Sequence, residues 1–537
     1  MTCSRFDWIA MTLLGALVLG VALGGSTTIP LDSHEVYVAQ TAENMIESGD
    51  WVVPRLNAQP RLTKPPLSYW ATAVVALVGA DHQVRPLDVR MPSIVAGLGL
   101  VWLVFLIGRG ERDSATGLLA GLIALTSIGF FRYVHDGRPD MLYTFFATLM
   151  VFAWWAGGRA GHMAGMRAWG LVFWAAFGLH VLTKGPQFGA VILAACLIHA
   201  LCVPGERRRL LVRLQLLPGL LLFAVLVVPW WWLLDQRIGP SLEQSQLSGS
   251  LLTVDPLRLL NPYYWLRTPL QWAPWLVAIV PAATVAWSER DRTPGLLALV
   301  VLLPVVIFTL GPQYREIYML PSMAPAALLL AFGVERLTVS IHRRARVGLY
   351  ALALFLFVFC IGGWIWLGLN AGGGWAAFAL CALATAVLLV LAAIRLRQTR
   401  RGVISLLGIA MAAALMQAAV VPVVWSASRY TDRALAMRLL PFRDRPMAVF
   451  DHLASDVFVY YLDRPITELR DEAALCAWLA DPSHRSGLLL YNPLDARRVT
   501  ATAPGLSRLM ASPGSERSAV IVARAGAPAK GCQTAAR

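Results

Sequence analysis

Long apolar runs separated by short polar loops dominate the chain from its N-terminus to about residue 425. The first covers about 8–24. Others follow at about 91–108, 114–131, 139–157, 168–183, 186–203 and 211–234, then at about 272–288, 294–311, 316–334, 347–369, 374–394 and 403–425. A helix of roughly 20 apolar residues spans the ~30 Å hydrocarbon core of a bilayer. A transmembrane β-barrel would instead alternate over segments of about 10 residues, and these runs are continuous. The pattern predicts a polytopic α-helical membrane protein with about thirteen transmembrane helices.

Three regions interrupt the rhythm. Residues 30–90 form a long polar loop holding two amphipathic segments, about 35–47 and 66–79, suited to lying along the interface. Residues 235–271 are polar and aromatic. From about Ser426 the composition becomes that of an ordinary globular protein. There 447–450, 487–492 and 518–525 read as strands, and 471–480 as a helix. The predicted division is a membrane unit, 1–425, and a small α/β domain, 426–537.

Composition strengthens this picture. Of 537 residues, 57% are hydrophobic and 14% charged, against roughly 25% charged in soluble domains. Mean hydropathy is +0.61. The net charge of +15 does not point to nucleic acid, because the arginines sit in alternate short loops. The loops carrying Arg109 and Arg112, Arg207 to Arg209, Arg343, Arg344 and Arg346, and Arg400 and Arg401 are predicted to be cytoplasmic. The N-terminus is then inside. Loops 30–90 and 235–271, the turns near 135, 184 and 314, and the C-terminal domain are then outside. Cys476 and Cys532 fall in that domain, where an oxidising compartment would allow them to bridge.

The outer loops gather the candidate chemistry. Leu-Asp-Ser-His-Glu at 31–35 sets Asp32, His34 and Glu35 at the membrane surface, where a base could meet acceptor and donor. Asp32 equally suits a helix cap, and Glu35 a first helical turn. Arg-Leu-Thr-Lys-Pro-Pro-Leu-Ser-Tyr-Trp at 61–70 holds Lys64 before two prolines that keep its backbone extended. Only three lysines occur in the chain: Lys64, Lys184 and Lys530. Lys64 reads as a phosphate contact or as a snorkelling lysine beside Tyr69 and Trp70. His-Asp-Gly-Arg-Pro-Asp at 135–140 places Asp136 and Asp140 around Arg138 at the mouth of a span. Asp140 reads as a functional acid or as a charge favoured at a helix start. Thr-Lys-Gly-Pro at 183–186 gives Lys184, either a phosphate or carboxylate partner or a plain turn lysine. Gln-Tyr-Arg-Glu-Ile-Tyr at 313–318 offers Arg315 and Tyr318 to phosphate oxygens, with Glu316 as counter-charge. His180 and His199 read as packing residues. No Walker loop, dinucleotide fingerprint, zincin pattern or Gly-x-Ser-x-Gly is present, and no cysteine has metal-ligand spacing.

Taken in this order, these motifs resemble the polyprenyl-phosphate-sugar-dependent glycosyltransferases of the GT-C fold. The likeness is to the bacterial lipid A aminoarabinose transferases and the related protein O-mannosyltransferases. The residues that carry it are HEVYVAQTAENM from His34, GDWVVPR from Gly49, RLTKPPLSYW from Arg61, RPDML from Arg138, TKGP from Thr183 and YMLP from Tyr318. The resemblance implies an inverting transfer of a sugar from an undecaprenyl phosphate carrier to a periplasmic acceptor, either lipid A or another envelope glycolipid. It implies Glu35 as the acid of the first outer loop with Asp32 as substitute, Asp140 as the second acid, and Lys64 at the donor phosphate. Arg61, His34, Tyr69, Asp136, Arg138, Lys184, Arg315 and Tyr318 complete the expected substrate contacts. The aminoarabinose transferases carry Asp-Glu where this chain has His34-Glu35. Protein cations at a monophosphate make an obligatory cofactor unnecessary, and a divalent metal stays open. Two other functions fit the same pattern: a flippase for a lipid-linked sugar, and a protein O-glycosyltransferase. Transport acids usually line a path at mid-membrane, whereas these cluster at one surface.

Overall fold

The computed structural model describes residues 4–238, 261–339, 431–511 and 521–524, apart from positions 25, 27–28, 58, 80–82, 312–314, 452 and 454, together with scattered helical residues between 347 and 415. Apart from those scattered residues, the spans expected at about 347–369, 374–394 and 403–425 lie outside the described residues, as does most of the loop expected at 235–271.

The first half contains α1 (Arg5–Leu23), α2 (Ser33–Ser48), α3 (Leu67–Leu77), α4 (Pro86–Glu111), α5 (Ser114–Thr126), α6 (Ile128–Tyr133), α7 (Asp140–Arg159), α8 (Met163–Lys184) and α9 (Gln187–Cys202). Further helices cover Leu210–Ile238, Thr293–Thr309 and Glu316–Leu337, and a pair, Tyr263–Leu270 and Trp275–Ser288, is bent by 110°. Among the described residues six helices are long and apolar enough to cross a membrane, or seven if the bent pair is one span. The chain is therefore a polytopic helical membrane protein. The remaining expected runs, α5, α9 and Thr293–Thr309, form apolar helices of 10–17 residues.

The span expected at 114–131 is broken, and its break answers the bend between Leu270 and Trp275, at the start of the span expected at 272–288. The run predicted at 114–131 stops at Ser127, whose backbone is extended. There Thr126 and Ser127 turn their hydroxyls back onto the carbonyls of Leu122 and Ile123. The amides of Ile128 and Gly129, freed at the start of α6, donate to the carbonyls of Ala273 and Gln271 in that bend. Trp275 Nε1 donates to Thr126 Oγ1 at 2.8 Å. Inside a bilayer a break survives only where neighbouring protein takes up the released backbone groups.

One apolar core runs through α1, α4, α5, α7, α8 and the helix Glu316–Leu337. A second, smaller core joins α2 and α3 to the helix Asp456–Leu462, through Leu31, Val36, Ala39, Tyr69, Ala73 and Val457. α2 starts at a capping box: Asp32 accepts from the Glu35 amide and the Glu35 side chain accepts from the Asp32 amide. It stops at Gly49, whose φ of 69° is left-handed and whose N–H reaches Met45 O.

The C-terminal region forms a five-stranded sheet ordered β4-β3-β5-β7-β6, with β3 (Met447–Phe450), β4 (Thr467–Leu469), β5 (Leu488–Tyr491), β6 (Ser507–Ala511) and β7 (Ile521–Arg524). β4, β3 and β5 are parallel, and β7 and β6 run antiparallel. Every residue of β3 and β5 is buried, because both faces are covered. Met447, Val449, Leu488 and Leu490 enter one cluster, and Ala448, Phe450, Leu489 and Tyr491 the other. A hairpin of the long loop, β1 (Arg55–Leu56) and β2 (Gln59–Pro60), meets this sheet. Its turn residue Asn57, at φ 48°, donates Nδ2 to Ile466 O at 3.0 Å and accepts from Ile466 N at 3.3 Å. The side-chain amide thus covers part of the open backbone beside the edge strand β4. Cys476 is disulfide-bonded. Cys532, the partner suggested by the sequence, lies outside the described residues.

Candidate active site

α7 and α8 are antiparallel neighbours joined by a short turn, so the first residue of one meets the last of the other. Those residues are Asp140 and Lys184, and they form an ion pair. Each charge is also favoured by its own helix end, an acid at an N-terminus and a cation at a C-terminus. Arg138 adds its guanidinium at 3.7 Å from Asp140 Oδ2. The Lys184 ammonium lies 5.6 Å from the centre of the Tyr143 ring and 5.3 Å from that of Tyr318. Asp140 is 4% exposed, so it sits at the floor of the group.

Lys64 comes to the same place from the other side of the sequence. It is half-buried beside Pro65 and Pro66, within the fields of Lys184, Asp140, Arg315 and Arg61. Burial, reinforced by these neighbouring cations, pulls its pKa down to about 8. Arg138, Asp32, Asp140 and Arg61 surround His34, which reaches solvent. Arg61 lays its guanidinium over the Tyr37 ring at 4.0 Å and hydrogen-bonds Tyr69. Tyr69 is buried at 2% exposure, so it holds Arg61 instead of facing a substrate. Arg315 is exposed, with its backbone amide anchored on the Tyr264 hydroxyl at 3.0 Å. Glu316 turns away to Arg267, at 2.6 Å, and Arg132. Asp136 is buried and accepts from the Arg138 amide at 3.2 Å, ordering the turn.

Glu35 stands apart. It is fully buried, and Arg90, also fully buried, grips it with Nε at 2.7 Å and Nη2 at 2.9 Å. The other Arg90 protons go to the carbonyls of Ser26, Ile29 and Pro30. Glu35 also accepts from the amides of Asp32 and Gly137. Gly137 can come so close because it has no Cβ; one would lie 2.9 Å from Val89 O. With its oxygens taking four hydrogen bonds from Asp32, Arg90 and Gly137, Glu35 has no route to an acceptor. The base role expected for it does not fit this geometry, whereas a structural clamp does. Asp32 is half-buried and caps α2. His180 packs as expected, stacked on Tyr143 at 3.6 Å.

Sequence reasoning missed Arg90, Asn57, Tyr37 and Asp456. Arg90 carried a signal, being a charge flush against the apolar run that starts at 91. The other three act through contacts between the long loop and the C-terminal sheet, made hundreds of residues away in sequence, and Tyr37 also lies under Arg61. Among the described residues no group of three or more His, Cys, Asp or Glu side chains is arranged to hold a metal ion.

Comparison with known proteins fits this geometry. A family model for dolichyl-phosphate-mannose-protein mannosyltransferases matches residues 63–233. The undecaprenyl phosphate-alpha-4-amino-4-deoxy-L-arabinose arabinosyl transferase of Pseudomonas aeruginosa is 28% identical over 345 residues, 60% of each chain. An uncharacterised protein of Aquifex aeolicus is 26% identical over 306 residues, 56% of this chain and 58% of its own. The chain thus covers about three fifths of the length of these relatives. Among solved structures, ArnT from Cupriavidus metallidurans bound to undecaprenyl phosphate has a TM-score of 0.76 at 19% identity, over 97% of this chain and 98% of its own. The oligosaccharyltransferase AglB of Archaeoglobus fulgidus has a TM-score of 0.51 at 10% identity, over 92% and 70%. The fold is that of the GT-C class. Within it, the chain is related to the aminoarabinose transferases and the protein mannosyltransferases.

Proposed function

We propose that this chain is a glycosyltransferase that moves a sugar from a polyprenyl phosphate to an acceptor on the outer face of the bacterial inner membrane. The observation that carries it is the meeting of Lys64, Lys184, Arg138 and Arg315 around Asp140, from four separate stretches of sequence. A surplus of cations beside one acid suits a lipid phosphate next to a reacting hydroxyl. The sequence relatives and the fold support the same class of donor.

In this reading an acceptor oxygen attacks the anomeric carbon while the bond from that carbon to the phosphate oxygen breaks. The electron pair leaves on the polyprenyl phosphate, whose growing charge Lys64 and Arg315 stabilise. Asp140 orients the acceptor hydroxyl and takes its proton, with Lys184 holding the carboxylate in place. Asp32 is the second candidate. One displacement inverts the anomeric centre. The acceptor is an envelope glycolipid of the lipid A kind, and the α/β domain expected at 426–537 lies in the periplasm with the N-terminus in the cytoplasm.

The test is transfer by purified protein in lipid nanodiscs, with a panel of undecaprenyl-phosphate-linked sugars and envelope glycolipid acceptors. Transfer by the wild type, lost in folded Asp140→Asn and Lys64→Ala, is the expected result. A lipid-linked sugar that crosses the bilayer without being transferred overturns it in favour of a flippase.

A further inference from the structure

Where the hairpin of the long loop meets the C-terminal sheet there is an open cleft of about 260 Å³, lined by Asn57, Gln59, Arg61, Asp456, Glu468 and Arg470, among others. We propose that this cleft is the subsite that holds a sugar ring of the acceptor; the assignment rests on the glycosyl-transfer reading above.

Size comes first. Sites for drug-sized molecules occupy roughly 300–1,000 Å³, so this cleft takes a single ring and leaves no room for acyl chains. Chemistry comes second. Two arginines face two acids, and burial holds Asp456 above the usual carboxylate range. An anion would meet the carboxylates and a cation the guanidinium groups. A neutral or zwitterionic ligand with many hydroxyls is opposed by neither. Carboxylates, guanidinium groups and side-chain amides present paired donors or acceptors in one plane, which match neighbouring ring hydroxyls.

The cleft is also built for this. Ser455 fixes Glu468 with a hydrogen bond of 2.6 Å, and Tyr37 hydrogen-bonds Asp456. Arg61 Nε is buried without a hydrogen-bond partner. Arg470 is exposed. Position third. Arg61 lines the cleft and also lies in the field of Lys64, and Thr63, the residue before Lys64, is part of the wall. A ring seated there adjoins the proposed donor phosphate. The cleft draws residues from both units, so the C-terminal sheet takes part in choosing the acceptor.

The experiment uses the full chain in nanodiscs and saturation-transfer NMR with a panel of methyl hexosides and methyl aminohexosides. Gln59→Trp fills the cleft from an exposed position, and Arg470→Ala removes one wall. At least one glycoside is expected to bind the wild type. Gln59→Trp abolishes that binding and Arg470→Ala weakens it about tenfold, while affinity for undecaprenyl phosphate stays within about twofold. In the transfer assay both variants raise the KM for acceptor about tenfold and leave the KM for donor unchanged. The inference is overturned if no glycoside binds, if Gln59→Trp binds as the wild type does, or if donor affinity falls in step. Unmoved acceptor KM also overturns it. A wild type that binds glycosides in the cleft but transfers nothing sinks the glycosyl-transfer reading and leaves a sugar site.

Discussion

Two groups of charges lie at the same end of the helical bundle and have opposite characters. Around Glu35 and Arg90 the account closes: both are fully buried, the carboxylate accepts four hydrogen bonds, and all five guanidinium protons have acceptors. Around Asp140 it does not close. Lys64, Lys184, Arg61, Arg138 and Arg315 crowd the acids, and Lys64 is pushed toward its neutral form. A satisfied buried pair fixes the path of the chain, whereas an excess of one sign at a partly open surface is stable only with a counter-charge from elsewhere. Of the two acids in the motif at 31–35, Glu35 is thus the one spent on the fold.

That contrast can be broken by substitution. The largest effect is expected from Glu35→Gln, which leaves Arg90 in the interior without its counter-charge and costs about 3–5 kcal/mol. Size-exclusion and thermal melts of the purified protein should show aggregation or a large fall in Tm. A variant that stays folded and merely loses transfer would put Glu35 back in the reaction centre. Asp140→Asn and Lys64→Ala should do the reverse. Each is expected to lower transfer by about 10²–10³-fold with a Tm near that of the wild type, and a collapse of folding in both would erase the distinction.

A pH profile sharpens it further. Lysine is charged below its pKa, so the cation needed for the phosphate fades as pH rises through about 8. The kcat/KM for donor should fall above that point, and Lys64→Arg should move the falling limb upward because a guanidinium keeps its charge. A limb unmoved in Lys64→Arg would separate Lys64 from donor binding. The smallest effect belongs to the sheet contact. Asn57→Ala removes two hydrogen bonds to Ile466 and should cost about 1 kcal/mol, visible as a small drop in Tm with donor KM unchanged.

Much of the molecule can be read from its one-dimensional pattern. The strand at 447–450 and the helix beginning after Asp471 fall where the sequence puts them. The amphipathic segments near 35–47 and 66–79 are α2 and α3. Local chemistry suffices there: periodicity, a capping box with Asp32 and Glu35, a glycine stop at Gly49. The breaks at Ser127 and near Pro274 escape a hydropathy reading, because each depends on hydrogen bonds made to the other.

The sequence by itself determined that this chain is a polytopic helical membrane protein and that its charged motifs fall between the apolar runs. Apolar length and charge placement act residue by residue, so they survive in a linear string. Only the tertiary structure decided the duty of each acid. Glu35 and Asp140 are both carboxylates in first helical turns, and their near neighbours, a capping box for one and Arg138 for the other, do not decide their duties. The difference is made by Arg90, 55 residues beyond Glu35, and by Lys184, 44 beyond Asp140. A carboxylate's role follows from the partners that burial brings to it, and those partners are set by packing across the whole chain.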